Sequence, residues 1–165
     1  MAYSAYGDAA DCTAKVGLVK LDGAVVWQGS WCGSHTDLRG VNTLLVDPFS
    51  CSVLESRRFD THNNAANDTL DLSNYLLSTS RGHVIVGVSA SEAQSNLADA
   101  LPALRQIGVE LGDLQYRGSF AFIAQKGYSD KTVLSKARDE TESYKDPASL
   151  NAVITGIFFF VYNVI

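Results

Sequence analysis

The chain has 165 residues, enough for one domain and too few for two well-cored ones. Hydrophobic residues make up 46% of the sequence and charged residues 19%, which excludes a largely disordered chain. The formal net charge is −5, so the surface has no excess of positive charge to attract a phosphate backbone. We therefore expect no nucleic-acid partner.

The N-terminal part predicts a hairpin over residues 14–28. Its two strand-like segments flank Asp22-Gly23, a pair that favours the two-residue turns of hairpins. Cys12 and Cys32 flank this hairpin, and a disulfide between them would join its outer ends. Because the sequence has three cysteines, Cys51 would then be free or paired with another chain.

The middle of the chain predicts a second hairpin with one solvated face. Val41 to Val46 is almost continuously apolar, as expected of an interior strand. The turn Asp47 to Ser50 contains a proline, and Ser52 to Phe59 returns as a strand with polar residues at most positions. The return strand is followed directly by Asp60-Thr61-His62, a polar cluster that is a candidate site.

Two helices are predicted beyond this hairpin. Asp68 and Asp71 place carboxylates where a helix begins, and that helix ends before Gly82. The apolar spacing of Leu97 to Gly108 predicts a second helix. Pro102 indicates that this second helix begins late, because proline is tolerated only in a first turn.

Buried strands are predicted around and after the second helix. Val84 to Val88 and Ser119 to Ala124 are apolar enough to be buried on both faces. Residues 130–146 are polar and weakly helical, and Leu150 to Ile165 is interpreted as a strand extension. This last run is shorter than the about 20 apolar residues that a bilayer span needs, so we expect no membrane insertion. The order of elements predicts an α+β fold.

No pattern of residues predicts catalysis. Gly87-Val88-Ser89-Ala90-Ser91 lacks the final glycine of a nucleophile elbow, so Ser89 is interpreted as the end of a strand. The histidines His35, His62 and His83 have no metal-site spacing, and no phosphate-binding glycine motif occurs. We therefore expect neither an enzyme nor a bound cofactor or metal.

Arginines and aromatic residues are the remaining candidates for ligand binding. An arginine precedes a glycine at the start of three predicted strands, in Arg39-Gly40, Arg81-Gly82 and Arg117-Gly118. Guanidinium groups and amphipathic rings suit ligands that carry hydroxyls or carboxylates. The alternative is that each arginine forms an internal ion pair, with Asp47, Glu55 or Asp60 as candidate partners.

Several segments follow one another in a recognisable order. They are Arg39-Gly40-Val41-Asn42, Leu44-Leu45-Val46, Val53 to Thr61, the helix of residues 97–108, and Tyr116 to Gly127 with its Phe-Ala-Phe and Gln-Lys-Gly runs. Together they resemble the interleukin-like epithelial–mesenchymal-transition inducer domain, also called the PANDER-like domain. Leu38, Cys51 and Gly118 depart from the family pattern, which has glycine, glycine and aspartate there.

The resemblance implies a single domain over residues 1–165 with its core at 39–127. It also implies a compact β-sandwich-like fold of mostly antiparallel sheets with two short flanking helices and no catalytic residues. In the stem of the protein O-mannose N-acetylglucosaminyltransferase this domain resembles a carbohydrate-binding module. We therefore expect a lectin for glycans such as N-acetylglucosamine-type sugars, and a homo-oligomer, because lectins gain avidity from repeated weak sites.

The alternative is a secreted cytokine-like protein that acts through a protein receptor. Members of that branch have a cysteine near the C-terminus that this chain lacks, which favours the lectin. Both functions imply an extracellular protein. Met1 to Asp8 has neither a basic n-region nor an apolar h-region, so we do not expect it to be a signal peptide.

The candidate ligand site lies where polar groups meet at one end of the sheet. Asp60 and His62 finish the return strand, and we expect them to lie close to Arg39 or Arg117 at the start of a strand. Aspartate and arginine would supply an acceptor and a donor to one ligand, with Tyr116 beside them.

Overall fold

The computed structural model describes residues 2–4, 15–21, 24–30, 38–63, 67–90, 92–112, 114–115, 118–137 and 148–150. The described strands are β1 (Ala2–Ser4), β2 (Lys15–Leu21), β3 (Ala24–Ser30), β4 (Gly40–Val46), β5 (Val53–Phe59), β6 (Val84–Ala90), β7 (Ser119–Gln125), β8 (Tyr128–Ala137) and β9 (Ser149–Leu150). The helices are α1 (Asp68–Ser78) and α2 (Leu101–Gln106), and a 3-10 turn over Leu97–Ala100 leads into α2.

The strands form two antiparallel sheets. The larger sheet has five strands in the order β5-β4-β6-β7-β8, and the smaller has four in the order β3-β2-β1-β9. The long connections from β5 to β6 and from β6 to β7 contain the helices, so the fold is α+β as predicted.

The larger sheet is buried on both faces, because successive side chains of a strand point to opposite sides. One face packs against the helices in a cluster that includes Ile85, Phe120, Phe122, Leu72, Leu76 and Leu104. The other face packs against the smaller sheet in a cluster that includes Val84, Val86, Val88, Leu44 and Val19. This layering confirms the sandwich-like arrangement with flanking helices, and it explains why β4, β6 and β7 are apolar at most positions.

Phe59 anchors the end of β5 in the core on the helix side, where its ring lies 5.6 Å from that of Tyr75. The rest of β5 is largely exposed, so the prediction of a solvated face for the return strand is confirmed.

The prediction of weak helicity after residue 130 is wrong for the described part of that segment. Tyr128–Ala137 is β8, an edge strand that pairs with β7. An edge strand is hydrogen-bonded to a neighbouring strand on one side only and can carry polar side chains. Pairing with the apolar strand β7 therefore outweighs the polar composition that suggested a helix. Residues 138–147 and 151–165 lie outside the described residues, as does the Asp22-Gly23 turn.

The register of the larger sheet brings three chain segments to one end. Val41 is paired with Phe59, and Gly40 is paired with Ala90. The residues that precede β4 therefore lie beside those that follow β5 and β6. The described helices include none that is long and apolar enough to cross a membrane.

Candidate functional site

An ion-pair cluster closes the end of the second hairpin. Arg39 donates from Nε to Asp60 Oδ1 at 3.0 Å and from Nη2 to Oδ2 at 2.7 Å. Arg58 donates from Nη2 to the same Oδ2 at 3.2 Å, and the backbone N–H of Asn63 donates to Oδ1 at 3.1 Å. Each carboxylate oxygen of Asp60 thus accepts two hydrogen bonds. The alternative interpretation of Arg39, an internal ion pair with Asp60, is confirmed.

This cluster keeps both partners charged at neutral pH. Burial alone would raise the pKa of Asp60, whose side chain is only 10% exposed. Hydrogen bonds from Arg39 and Asn63 and the charges of Arg39 and Arg58 outweigh burial, so the pKa of this carboxyl lies below its ordinary value. The hydrogen bond to Asp60 raises the pKa of Arg39 further above neutrality.

His62 lies beside this cluster and is held by a second carboxylate. Its Nδ1 is 2.6 Å from Oε2 of Glu92, a side chain only 5% exposed, whereas the imidazole is 35% exposed. Glu92 Oε1 accepts the backbone N–H groups of Gln94 at 2.7 Å and Ser95 at 3.0 Å. An ionised carboxylate can only accept, so Nδ1 carries the proton. Among the described residues, none forms a hydrogen bond with Nε2.

Backbone and side-chain hydrogen bonds join the segment after β5 to the loop after β6. The backbone N–H of Asn96 donates to Thr61 O at 3.0 Å, and its Nδ2 donates to His62 O. Thr61 Oγ1 donates to Ala93 O at 2.7 Å, and Thr69 Oγ1 on α1 donates to Asn96 O at 2.8 Å. The site therefore rests on a sheet, a loop and a helix, which fixes its geometry.

Exposed polar groups surround the imidazole. We call His62, Asn63, Ser95 and Asn96 the polar rim; the last three are exposed and the first is half-buried. The amide nitrogen of Asn96 is already bonded to His62 O, so its amide oxygen is the group that can accept from a ligand. A rim of neutral donors and acceptors whose backbone is held by hydrogen bonds is suited to a ligand rich in hydroxyl groups.

The structure brings together three of the predicted site residues. Arg39, Asp60 and His62 meet at one sheet end, as their positions in the hairpin predicted. Tyr116 and Arg117 lie outside the described residues, so their part in the site stays a prediction. The proposed disulfide partners Cys12 and Cys32 also lie outside them, and Cys51 is a free thiol.

Sequence reasoning missed Glu92 and Asn96. Both follow the buried strand β6, in a loop with no periodic pattern, and they contact His62 across about thirty positions of the chain. The sequence feature that could have indicated Glu92 is its position, two residues after the end of the buried strand β6.

Arg81, at the opposite end of the larger sheet, contacts an aromatic ring. The guanidinium of Arg81 lies over the ring of Tyr128, 5.1 Å from its centroid. Gly82 N donates to Lys126 O at 2.9 Å, and Lys126 N donates to His83 O at the same distance. Arg81 therefore serves the packing of this turn through a cation–π contact.

Ser89 has a structural role. It is buried in β6, and its Oγ accepts the backbone N–H of Phe120 at 2.9 Å. Among the described residues, no three His, Cys, Asp or Glu side chains are grouped so that they could hold a metal ion.

A model of the interleukin-like EMT inducer family matches residues 39–128, which is more than half of the chain. The chain belongs to the interleukin-like EMT inducer family. Its members are typically secreted and include cytokine-like proteins, and lectin-like stem domains are related to them. No curated protein sequence matches this chain.

Two residues within the span matched to the interleukin-like EMT inducer family, Gly40 and Lys126, hold the fold together. Gly40 has φ +100°, and a Cβ there would lie 2.0 Å from Phe59 O, so only glycine fits. Lys126 donates from Nζ to Leu76 O at 2.6 Å and to Leu77 O at 3.1 Å, which caps the end of α1. These contacts assign structural roles to Gly40 and Lys126.

Proposed function

We propose that this chain is a secreted carbohydrate-binding protein that acts without catalysis. The observation that carries the proposal is the setting of His62, a half-exposed imidazole fixed at Nδ1 by the buried carboxylate of Glu92. Fixing one ring nitrogen orients the other, and an oriented acceptor loses little entropy when a ligand hydroxyl binds.

The charges beneath the polar rim favour a neutral ligand. Arg39 and Arg58 carry two positive charges, and Asp60 and Glu92 carry two negative charges. With the imidazole of His62 neutral, the local balance is zero, so neither an anion nor a cation is attracted strongly. Neutral sugars of the N-acetylglucosamine type, with hydroxyls that both donate and accept, are the ligand class that suits this surface.

In this proposal the ion-pair cluster supports the site from below. Asp60 already accepts four hydrogen bonds, so Arg39 and Asp60 hold His62 and Asn63 in position. Direct contact of either residue with sugar is a further prediction, as it is for Tyr116 and Arg117.

The test compares two histidine variants on a glycan array and in solution titrations with the sugars that bind. We expect His62→Ala to weaken binding about tenfold, the loss expected when a hydrogen bond to the ligand is removed. His83→Ala is the matched control, because His83 is also half-buried and places Nδ1 3.3 Å from a backbone carbonyl, at the opposite end of the sheet. If the wild-type chain binds no glycan on the array, or if both variants lose the same affinity, the proposal is contradicted.

The second candidate is a cytokine-like signal that acts through a protein receptor. The observation that favours it is the family itself, whose members include secreted cytokine-like proteins. Binding to cells before and after enzymatic removal of surface glycans separates the two functions. Loss of binding after this treatment supports the lectin, and full retention supports the protein receptor.

A further inference from the structure

Strand β5 is an exposed edge of the larger sheet. It pairs with β4 on one side, and no described strand pairs with its other side. Six of its seven residues are exposed or half-buried, including the apolar Val53 and Leu54. The unpaired N–H and C=O groups of such an edge are a template for another strand.

Two of the three charged side chains of β5 are arranged symmetrically about Ser56. Glu55 and Arg57 flank it on the same face of the strand, with Arg57 Nε 2.6 Å from Glu55 Oε1. Both side chains are more than a third exposed, and the guanidinium also lies 5.0 Å from the centroid of the Tyr75 ring. Each charged group therefore has capacity left for another partner.

We infer that two copies of this chain pair through β5, antiparallel, with Ser56 of each copy opposite the partner's Ser56. In this register Glu55 lies opposite the partner's Arg57, and Arg57 lies opposite the partner's Glu55. Residues directly opposite in an antiparallel pair have Cβ atoms about 5 Å apart on the same face, so two opposite-charge pairs form. The strand is thus complementary to a second copy of itself, as a twofold interface requires.

The same charges disfavour the neighbouring registers. A slip of two residues in one direction places Glu55 opposite the partner's Glu55, and the slip in the other direction places Arg57 opposite the partner's Arg57. Like charges directly opposite are destabilising. A slip of one residue places the helices of the two copies on opposite faces of the joined sheet and separates Glu55 from the partner's Arg57. Of these registers, only the one centred on Ser56 places opposite charges directly across from each other.

Joining the two edges makes one continuous sheet with the helices of both copies on the same side. This interface goes beyond the proposed function and does not depend on it. If the polar rim binds glycans, a dimer presents two rims, and a surface with many sugars is bound with higher avidity.

Sedimentation velocity of the full chain, from about 1 μM to about 1 mM, tests the dimer over the range expected of a small interface. We expect reversible dimerisation by the wild type. Glu55→Arg places like charges opposite at two symmetric positions and should raise the dissociation constant about tenfold or more. The double swap Glu55→Arg with Arg57→Glu restores both opposite-charge pairs and should return the constant to within about threefold of wild type.

Glu110→Arg is the matched control. It also reverses a glutamate that pairs with an exposed arginine, since Glu110 Oε2 lies 3.5 Å from Arg105 Nε, but it is not on β5. We expect its dissociation constant to equal that of the wild type, and thermal unfolding should show all variants folded. A wild type that stays monomeric throughout, a dimer that Glu55→Arg leaves intact, or a double swap that fails to restore it would overturn the inference.

Discussion

Gly40 fixes the close approach of two backbones at the start of β4. Its φ of +100° lies in the region that favours glycine, and the Cβ position is occupied by the backbone of residues 59–61. The bidentate pair between Arg39 and Asp60 depends on this approach, because Arg39 directly precedes Gly40 and Asp60 lies in the segment that Gly40 contacts.

We predict that Gly40→Ala lowers the free energy of unfolding by at least about 2 kcal/mol, since the new methyl group is both strained and obstructed. Gly112→Ala is the control, because no atom lies within 4 Å of a Cβ at that position and its effect should stay below about 1 kcal/mol. Urea unfolding of both variants measures the difference. Equal effects would show that the approach at Gly40 is not tight.

Asp60 contributes stability that depends on pH. We predict that Asp60→Asn lowers the free energy of unfolding by about 2–3 kcal/mol at pH 7, because it leaves two guanidinium groups without their shared anion. Asp99→Asn, at an exposed position, should change it by less than about 0.5 kcal/mol.

The pH profile follows from the direction of the shift. The folded-state pKa of Asp60 lies below the unfolded value of about 3.9, so its contribution is fully present above that value. The contribution is lost as the pH falls through the folded pKa. The difference between wild type and Asp60→Asn should therefore shrink below about pH 4, as measured by unfolding between pH 7 and pH 3. A difference that stays constant over this range would contradict the assignment.

At the scale of elements, α1 receives its C-terminal cap from a distant turn. The last turn of the helix has no basic residue of its own, and Lys126 between β7 and β8 supplies the cation to the carbonyls of Leu76 and Leu77. Partial burial lowers the pKa of this ammonium.

We predict that Lys126→Met destabilises the protein by about 1–2 kcal/mol, because two helix carbonyls lose a charged donor while the apolar stem is retained. Hydrogen exchange should accelerate at the amides of the last turn of α1. The control Arg105→Met removes an exposed cation of α2 and should cost less than about 0.5 kcal/mol. Unchanged exchange in α1 after Lys126→Met would show that the cap does not hold the helix.

The elements that the sequence predicted best are those buried on both faces. β4, β6 and β7 have apolar residues at most positions, as expected of interior strands. β8 was missed because an edge strand tolerates polar residues such as Asp130 and Lys131. Local composition is a weak guide where pairing with a neighbour decides the structure.

At the scale of the whole molecule, the sheet register assembles the candidate site from segments that are distant in sequence. The pairing of Asp60 with Arg39 could be predicted, because hairpin geometry brings the start of one strand to the end of the next. The support of His62 by Glu92 could not, because it depends on how the loop after β6 folds over that end.

The most direct test of the proposed carbohydrate-binding site is a ¹H–¹⁵N correlation titration of the chain with the neutral sugars that bind on an array. The polar rim predicts saturable shifts at the amides of His62, Asn63, Ser95 and Asn96, and no comparable shifts around His83 at the opposite end of the sheet. Shifts confined to another surface, or no shift at millimolar sugar, would contradict the account.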